Sequence, residues 1–384
     1  MKIQFILSSI ILMLFSFNSL SSQNCEQNSN HPNYNALEQT FDGETIIREY
    51  LLYVPSNYNP NESTALIINL HGFGDCANNY FDTVGEFYEF NKLADEQNFL
   101  VAYPQAAYRP EKEDHYWEPS DTVKEDIYEN DVFFIEQLIL EISSTYTINT
   151  NQIYACGYSN GGMMAYSLAC NTGDLFAGIS VISGTMLEEE CLIANPTPLI
   201  IFHGVNDEVL PYDGNQWYQS VGQIVDFWLD KFGIPINSLV SQTLKEGDVL
   251  KDEYMNNNAC ITVYSIFEEY DKPGGHVWFS EEIEDISPNE IMWNFFTEQC
   301  GILSSTTEPQ TSDISIVPNP FGQTIKIATP QPMIEKLQIF DMLGRIVFED
   351  SNLNQNQTID LEFLESSTYL LKADNSIKRI FKSE

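Results

Sequence analysis

Near its middle the chain reads Ile153-Tyr-Ala-Cys-Gly-Tyr-Ser-Asn-Gly-Gly-Met-Met-Ala-Tyr166. Ile153 to Gly157 is a short apolar strand, and Gly161 to Ala169 is a run of small and apolar residues suited to a helix. Between them, Gly157-Tyr158-Ser159-Asn160-Gly161 must turn the backbone from strand to helix within a few residues. Such a turn strains its central residue, and flanking glycines let neighbouring backbone pass where a Cβ would collide. The Ser159 hydroxyl is then held above the sheet. The helix N-terminus beneath it offers free N–H groups and a positive dipole end to a developing oxyanion. Ser159 is therefore the candidate nucleophile. An ordinary glycine-rich turn is the plain reading of the same five residues, and the strand before and helix after weigh against it.

The alternation of strand and helix extends both ways. Ile46 to Val54 alternates like a strand, and Ala65 to Leu70 is an apolar run ending at His71-Gly72. Phe99–Tyr103, Ile179–Ser183 and Leu199–His203 read as further strands. Asp131 to Tyr146 reads as a helix, because Val132, Ile135, Leu138, Ile139 and Ile142 recur at three- and four-residue spacing. Val221–Phe232 and Glu290–Phe296 read as helices too. The pattern predicts an α/β fold, a mostly parallel sheet with helices on both faces, with ligands at the C-terminal strand ends. Residues 301–312 are polar and aperiodic, a linker composition. After them come short alternating segments such as Thr324-Ile-Lys-Ile-Ala328 and Tyr369-Leu-Leu-Lys-Ala373, with turns such as Leu343-Gly344 between. These predict a small all-β, sandwich-like domain over 313–384. No internal repeat stands out.

A serine hydroxyl needs a base to take its proton. Of five histidines, His31 lies far toward the N-terminus, His71 and His203 each end a strand in a His-Gly pair, and His115 sits in a charged loop. Where a serine sits on such a turn, the chain order is nucleophile, acid, histidine. His203 leaves no strand-end acid ahead of it, so His276, in Gly274-Gly-His-Val-Trp278, is the expected base. The acid must then lie between Ser159 and His276 at a strand end. Asp207 fits, in Leu199-Ile-Ile-Phe-His-Gly-Val-Asn-Asp207, ahead of the rivals Glu208, Asp213 and Asp226. Its task would be to orient His276 and stabilise the imidazolium; a turn-capping aspartate is the plain alternative. Leu70-His-Gly-Phe-Gly-Asp75 supplies the second half of an oxyanion hole, with the Phe73 and Asn160 N–H groups as the expected donors.

Composition narrows the function. Lys and Arg number 17 against 56 Asp and Glu, a net charge of −39. Nucleic acid and anionic membrane surfaces would repel such a chain. It suits an exported protein acting on an uncharged substrate. Lys2 followed by an apolar run to Phe17, with Ser19 and Ser21 flanking Leu20, reads as a signal peptide over 1–21. The run is short for ~30 Å of hydrocarbon, so a transmembrane anchor is disfavoured. Ser22-Gln-Asn24 before Cys25 is a poor lipobox. All seven cysteines follow this segment and none has zinc spacing. The expected pairs are Cys170 with Cys191 and Cys260 with Cys300, and Cys156, in an apolar run, reads as a buried free thiol.

Four separated motifs now stand in order: Leu70-His-Gly-Phe-Gly-Asp75, Gly157-Tyr-Ser-Asn-Gly-Gly-Met-Met-Ala-Tyr166 with Leu168-Ala-Cys170, Phe202-His-Gly-Val-Asn-Asp207 with Pro211-Tyr-Asp-Gly214, and Gly274-Gly-His-Val-Trp278. Over about 40–300 this resembles the α/β-hydrolase family of polyhydroxybutyrate depolymerases, feruloyl esterases and acetyl xylan esterases. The resemblance implies an esterase domain over 22–300 with Ser159, Asp207 and His276 as its triad and no metal or cofactor. Members often carry Trp-Pro where this chain has Trp278-Phe279. The tail resembles the sorting domain of the type IX secretion pathway, through Val317-Pro-Asn-Pro320, Ile339-Phe-Asp-Met-Leu-Gly-Arg345, Leu361 and Tyr369-Leu-Leu-Lys372. It implies export to the cell surface or beyond by that machinery.

Tyr116, Trp117, Tyr158 and Trp278, with Phe73, are the candidate pocket walls, and core packing is the plain reading for each. The acidic stretch Glu111–Asp126 around Trp117 reads as a solvated lid. The expected function is a secreted serine ester hydrolase acting on feruloyl or acetyl groups of polysaccharide or on a polyhydroxybutyrate-like polyester. The competing reading is an inactive hydrolase-fold binding module.

Overall fold

The run Ala65–Leu70 is buried on both sides: Leu66, Ile68 and Leu70 join one apolar cluster, Ala65 and Ile67 another. Side chains of a strand alternate between faces, so a strand sandwiched by helices must be apolar throughout. The same split recurs at Ile153 and Ala155 against Tyr154 and Cys156, and at Leu199 and Ile201 against Ile200 and Phe202.

A computed structural model describes residues 25–41, 44–82, 90–119, 130–172, 175–187, 191, 196–267, 275–280, 282–298, 315–318, 321–329, 333–340, 346–354, 357–365, 367–373 and 376–382. The expected signal segment and linker lie outside them. The first elements are β1 (Tyr34–Phe41), β2 (Glu44–Tyr53), β3 (Thr64–Leu70), α1 (Ala77–Phe81), α2 (Asn91–Gln97), β4 (Phe99–Pro104) and a small hairpin of β5 (Tyr108–Arg109) and β6 (Asp114–His115). Next come α3 (Asp131–Thr145), β7 (Ile148–Tyr158), α4 (Asn160–Asn171), β8 (Gly178–Ile182), β9 (Leu199–Gly204) and α5 (Val221–Phe232). The series ends with β10 (Val240–Leu244), β11 (Val249–Met255), β12 (Cys260–Ile266) and α6 (Pro288–Glu298).

One sheet takes the order β1-β2-β4-β3-β7-β8-β9-β12-β11-β10. The six strands from β4 to β12 in that order are parallel. Antiparallel pairs flank them at each edge. Helices α3, α4 and α5 pack on one face, and α1, α2 and α6 on the other. From β3 the chain passes through α1 and α2 to β4, then returns through α3 to β7 on the opposite side of β3. The helices that follow β3 and β7 thus lie on opposite faces of the sheet, the arrangement beside which open α/β sheets take their ligands.

The mostly parallel sheet matches the expectation, and four strands go beyond it. β1 and β10 are edge strands; β10 is exposed over most of its length, so no buried face imprints an alternation. β11 is half-buried. β12, Cys-Ile-Thr-Val-Tyr-Ser-Ile, is wholly buried and carries the signal of a central strand in its β-branched residues.

Beyond residue 314, β13 (Ser315–Val317), β14 (Thr324–Ala328) and β17 (Thr358–Asp360) form one sheet. β15 (Met333–Phe340), β16 (Ile346–Asn354), β18 (Ser367–Ala373) and β19 (Ser376–Lys382) form another. Neighbouring strands are antiparallel, and both sheets feed one apolar core that includes Ile325, Ile327, Leu337, Ile339 and Leu371. This is the expected all-β part.

Cys170 pairs with Cys191 as expected. Cys25 pairs with Cys76, a bridge not anticipated from spacing. Cys156 is a buried free thiol, and burial pushes its pKa up. The expected partner of Cys260, Cys300, lies outside the described residues.

A buried ion cluster ties the first strands to α3. Asp131 Oδ1 accepts from Arg48 at 2.6 Å, and Oδ2 accepts from Arg109 at 2.8 Å and from the Glu118 N–H at 2.8 Å. The Arg48 guanidinium lies 3.8 Å above the Phe134 ring. Removing one member of such a cluster strands buried charge. Asp131→Ala should therefore destabilise the hydrolase part by about 3–5 kcal/mol, read as an earlier first transition in urea unfolding of the full chain; an unchanged midpoint would refute the structural role.

Candidate active site

β7 delivers Ser159 to the start of α4 with φ 54° and ψ −117°. A non-glycine residue rarely adopts such a backbone, and holding it there costs of order ~1–3 kcal/mol. The neighbouring glycines explain how the fold sustains it. A Cβ on Gly157 would stand 2.1 Å from the Gly161 carbonyl oxygen, and one on Gly161 would stand 2.2 Å from the Leu70 carbonyl oxygen. Strand exit, helix start and the end of β3 thus touch backbone to backbone. Ser159 N–H donates to Ile182 O at 2.9 Å, and Ser159 O accepts from Met163 N–H at 3.0 Å.

Three side chains distant in sequence meet here. His276 Nε2 lies 2.9 Å from Ser159 Oγ, and its Nδ1 lies 2.8 Å from Asp207 Oδ2. The carboxylate takes the Nδ1–H, which leaves Nε2 free to accept the serine proton. Asp207 is 4% exposed. Its Oδ1 accepts the N–H groups of Val209 and Leu210, both at 2.8 Å. Burial pushes the Asp207 carboxyl up, but hydrogen bonds from His203, His276 and Leu210 overcome it and hold the group at about 2.

The loop carrying His276 is fastened from several sides. Gly275 packs so closely on the end of β9 that a Cβ on Gly204 would fall 2.4 Å from its carbonyl oxygen. The Tyr158 hydroxyl donates to His276 O at 2.8 Å, and Ser183 Oγ donates to Val277 O at 2.9 Å. Trp278 is an anchor: it is 1% exposed, lies edge-on to Tyr80 and Phe90, and donates its indole N–H to Asn289 Oδ1 at 3.1 Å.

The loop after β3 is organised by His71. This imidazole is buried, and its Nδ1 donates to Gly72 O at 2.7 Å. Nε2 then accepts from Ala106 N–H at 3.0 Å and from the Gln105 amide at 3.1 Å. Burial pushes its pKa down to about 4, so the ring is neutral at ordinary pH. In a trans peptide the Phe73 N–H points away from the Gly72 carbonyl that His71 holds. Asn160 is the first residue of α4, where no helical carbonyl awaits its N–H.

The expected pocket aromatics separate into two groups. Phe73 is 47% exposed and stacks on half-buried Tyr116, with centroids 5.2 Å apart. Tyr158 leans over His276 at 5.3 Å. Trp117 and Trp278 instead turn their rings into the interior and are 0% and 1% exposed, as the plain reading of core packing expects. In the stretch around Trp117, Glu111, Lys112 and Glu113 are exposed while Trp117 is fully buried; residues 120–126 lie outside the described residues. The sequence reading passed over the side chains of His71 and His203. His203 Nε2 sits 3.4 Å from Asp207 Oδ2 and 2.8 Å from Leu210 O. The four-residue spacing of His203 and Asp207 was the available signal. Among the described residues no cluster of three or more His, Cys, Asp or Glu side chains is placed to hold a metal ion.

Residues 57–223 match the family described as phospholipase/carboxylesterase, and residues 315–383 the secretion system C-terminal sorting domain. The chain is 32% identical over 169 residues to a probable feruloyl esterase C of Aspergillus oryzae, covering 44% of this chain and 57% of that protein. It is 27% identical over 188 residues to the bifunctional acetylxylan esterase/xylanase XynS20E of Neocallimastix patriciarum, covering 49% of this chain and 25% of that protein. The match thus spans little more than half the length of the feruloyl esterase relative. The solved acetyl xylan esterase from Aspergillus awamori superposes with a TM-score of 0.50 at 14% identity, covering 70% of this chain and 99% of that one, a likeness of fold. The fold is that of an α/β hydrolase; within it residues 57–223 are similar to the phospholipase/carboxylesterase family, and residues 315–383 are similar to the secretion system C-terminal sorting domain.

Proposed function

We propose that the protein is an exported serine carboxylic-ester hydrolase. The observation that carries the reading is the relay Asp207–His276–Ser159, with contacts of 2.8 and 2.9 Å. Ser159 Oγ attacks the ester carbonyl while His276 Nε2 takes its proton, and the Asp207 carboxylate stabilises the resulting imidazolium. The tetrahedral oxyanion is held by the N–H groups of Phe73 and Asn160. His276 then returns the proton to the leaving alkoxide. Water repeats the cycle on the acyl-enzyme, releasing the acid and restoring Ser159.

The substrate is read as a feruloyl or acetyl ester on polysaccharide. The names of the Aspergillus and Neocallimastix relatives support this, as does the exposed Phe73 stacked on Tyr116, a flat apolar ledge for an uncharged group. A polyhydroxybutyrate-like polyester is the variant that the panel below separates. The sorting domain supports delivery to the cell surface or the medium by the type IX machinery.

Ser159→Ala should lower kcat by about 10⁴-fold or more and abolish labelling by a fluorophosphonate probe, with the circular dichroism spectrum retained; a labelled or active variant rejects the nucleophile. Feruloylated xylan, acetylated xylan, polyhydroxybutyrate and short p-nitrophenyl esters offered side by side should rank a xylan ester first. Polyester hydrolysis alone would overturn that substrate class. Asp207→Asn should reduce kcat by about 10³–10⁴-fold. Because the folded Asp207 pKa of about 2 lies below its unfolded value, its ionised form adds stability above about pH 4, and this contribution is lost as pH falls through about 2. The difference in urea midpoint between wild type and this variant should therefore shrink as pH falls from about 4 toward 2; a gap undiminished at pH 2 contradicts the assignment.

A further inference from the structure

We infer that Trp117 is a positioning residue that clamps together the two backbone segments which hold the oxyanion. The inference rests on the ester-hydrolase reading and adds to it a part that the triad does not perform. The Trp117 indole Nε1–H donates to the His71 carbonyl at 2.9 Å, at the exit of β3. Its backbone N–H donates to Asn160 Oδ1 at 2.7 Å, and its carbonyl accepts from Asn160 Nδ2 at 3.0 Å. The Asn160 side chain thus imitates a peptide group and pairs with Trp117 as one strand pairs with another. One residue grips β3 with its ring and α4 with its main chain, and so sets the distance between the Phe73 and Asn160 N–H groups.

The clamp works in a dry interior. Trp117, His71 and Asn160 are 0%, 1% and 8% exposed, so water cannot stand in for a lost partner. Around Gly72 each successive backbone group is held: His71 O by Trp117, Gly72 N–H by the Tyr80 hydroxyl at 3.0 Å, and Gly72 O by His71 Nδ1. With those peptide planes fixed, the direction of the Phe73 N–H is fixed as well. Trp117 is itself secured on both sides. Arg109 Nε donates to Tyr116 O at 3.1 Å, and Glu118 N–H donates to the buried Asp131. A ring that only filled space would not need its indole N–H aimed at the His71 carbonyl. Oxyanion donors act only within about 2.7–3.1 Å of the developing charge, so a slackened clamp weakens the transition state more than the ground state.

The test pairs Trp117→Phe, which keeps an aromatic ring but removes the indole donor, with Asn160→Ala, which keeps the backbone N–H but removes the carboxamide. Each should lower kcat on p-nitrophenyl acetate by about 10- to 100-fold with KM within about twofold. The Ki of phenylboronic acid, which forms a tetrahedral adduct on the serine, should rise by the factor that kcat falls. The double variant should lose little more than the worse single one, because both cut the same clamp. A folded Trp117→Phe protein with wild-type kcat, or a kcat loss with unchanged boronate Ki, overturns the clamp. If that variant does not fold, Asn160→Ala decides by the same two readouts. Wild-type Ser159 that resists a fluorophosphonate would sink the hydrolase reading and the clamp with it, whereas labelled wild type beside a fully active Trp117→Phe variant sinks the clamp alone.

Discussion

The site depends on one crowded contact, where the first turn of α4 meets the exits of β3 and β7 with no side chain between them. Gly157 and Gly161 are the positions where a Cβ would force the three segments apart. Their closeness holds Ser159 at a positive φ and brings the Asn160 backbone beside the loop that carries Phe73. A second strained residue, Ser183 with φ 47°, ends β8 nearby and fastens the His276 loop through Val277. Strain of this kind persists only where the surroundings over-determine it. Here the surroundings are a fully buried parallel sheet and two layers of helices.

Histidine 71, 203 and 276 show how one residue type takes separate tasks. His71 has both ring nitrogens occupied by the loop it shapes, and burial keeps it neutral. His203 is also buried, and it shares the Asp207 carboxylate with His276. His276 alone of the three turns a ring nitrogen to Ser159. Asp207, with two imidazoles and two backbone N–H groups around it, remains charged despite its burial. A fixed negative charge beside His276 is what an imidazolium formed in the reaction would require.

The two tryptophans mark the limit of reading residues singly. Trp117 and Trp278 lie close in sequence to charged or catalytic positions, and an aromatic there reads equally well as pocket wall or as core. Their indole N–H groups resolve the matter only in three dimensions, because each finds its acceptor on a remote segment, His71 and Asn289. The cluster of Arg48, Arg109 and Asp131 was equally hidden. Three charged residues scattered over eighty positions carry no pattern, and their pairing exists only once β2, β5 and the first residue of α3 come together. The Cys25–Cys76 bridge has the same character, since a separation of 51 residues specifies no partner.

The amino-acid order by itself determined the alternation of strand and helix, the sharp turn at Ser159, and which histidine and aspartate, His276 and Asp207, stand beside it. These signals are local: apolar runs follow the period of the element that buries them, and strand ends carry glycine where backbone must pass closely. Tertiary structure decided the edge strands, the neutral state of His71, the second imidazole on Asp207, and the withdrawal of both tryptophans into the interior. Each of those depends on which segments become neighbours after the sheet closes. Burial and hydrogen-bond partnership are properties of the assembled layers and leave no trace in the linear spacing of the residues that share them.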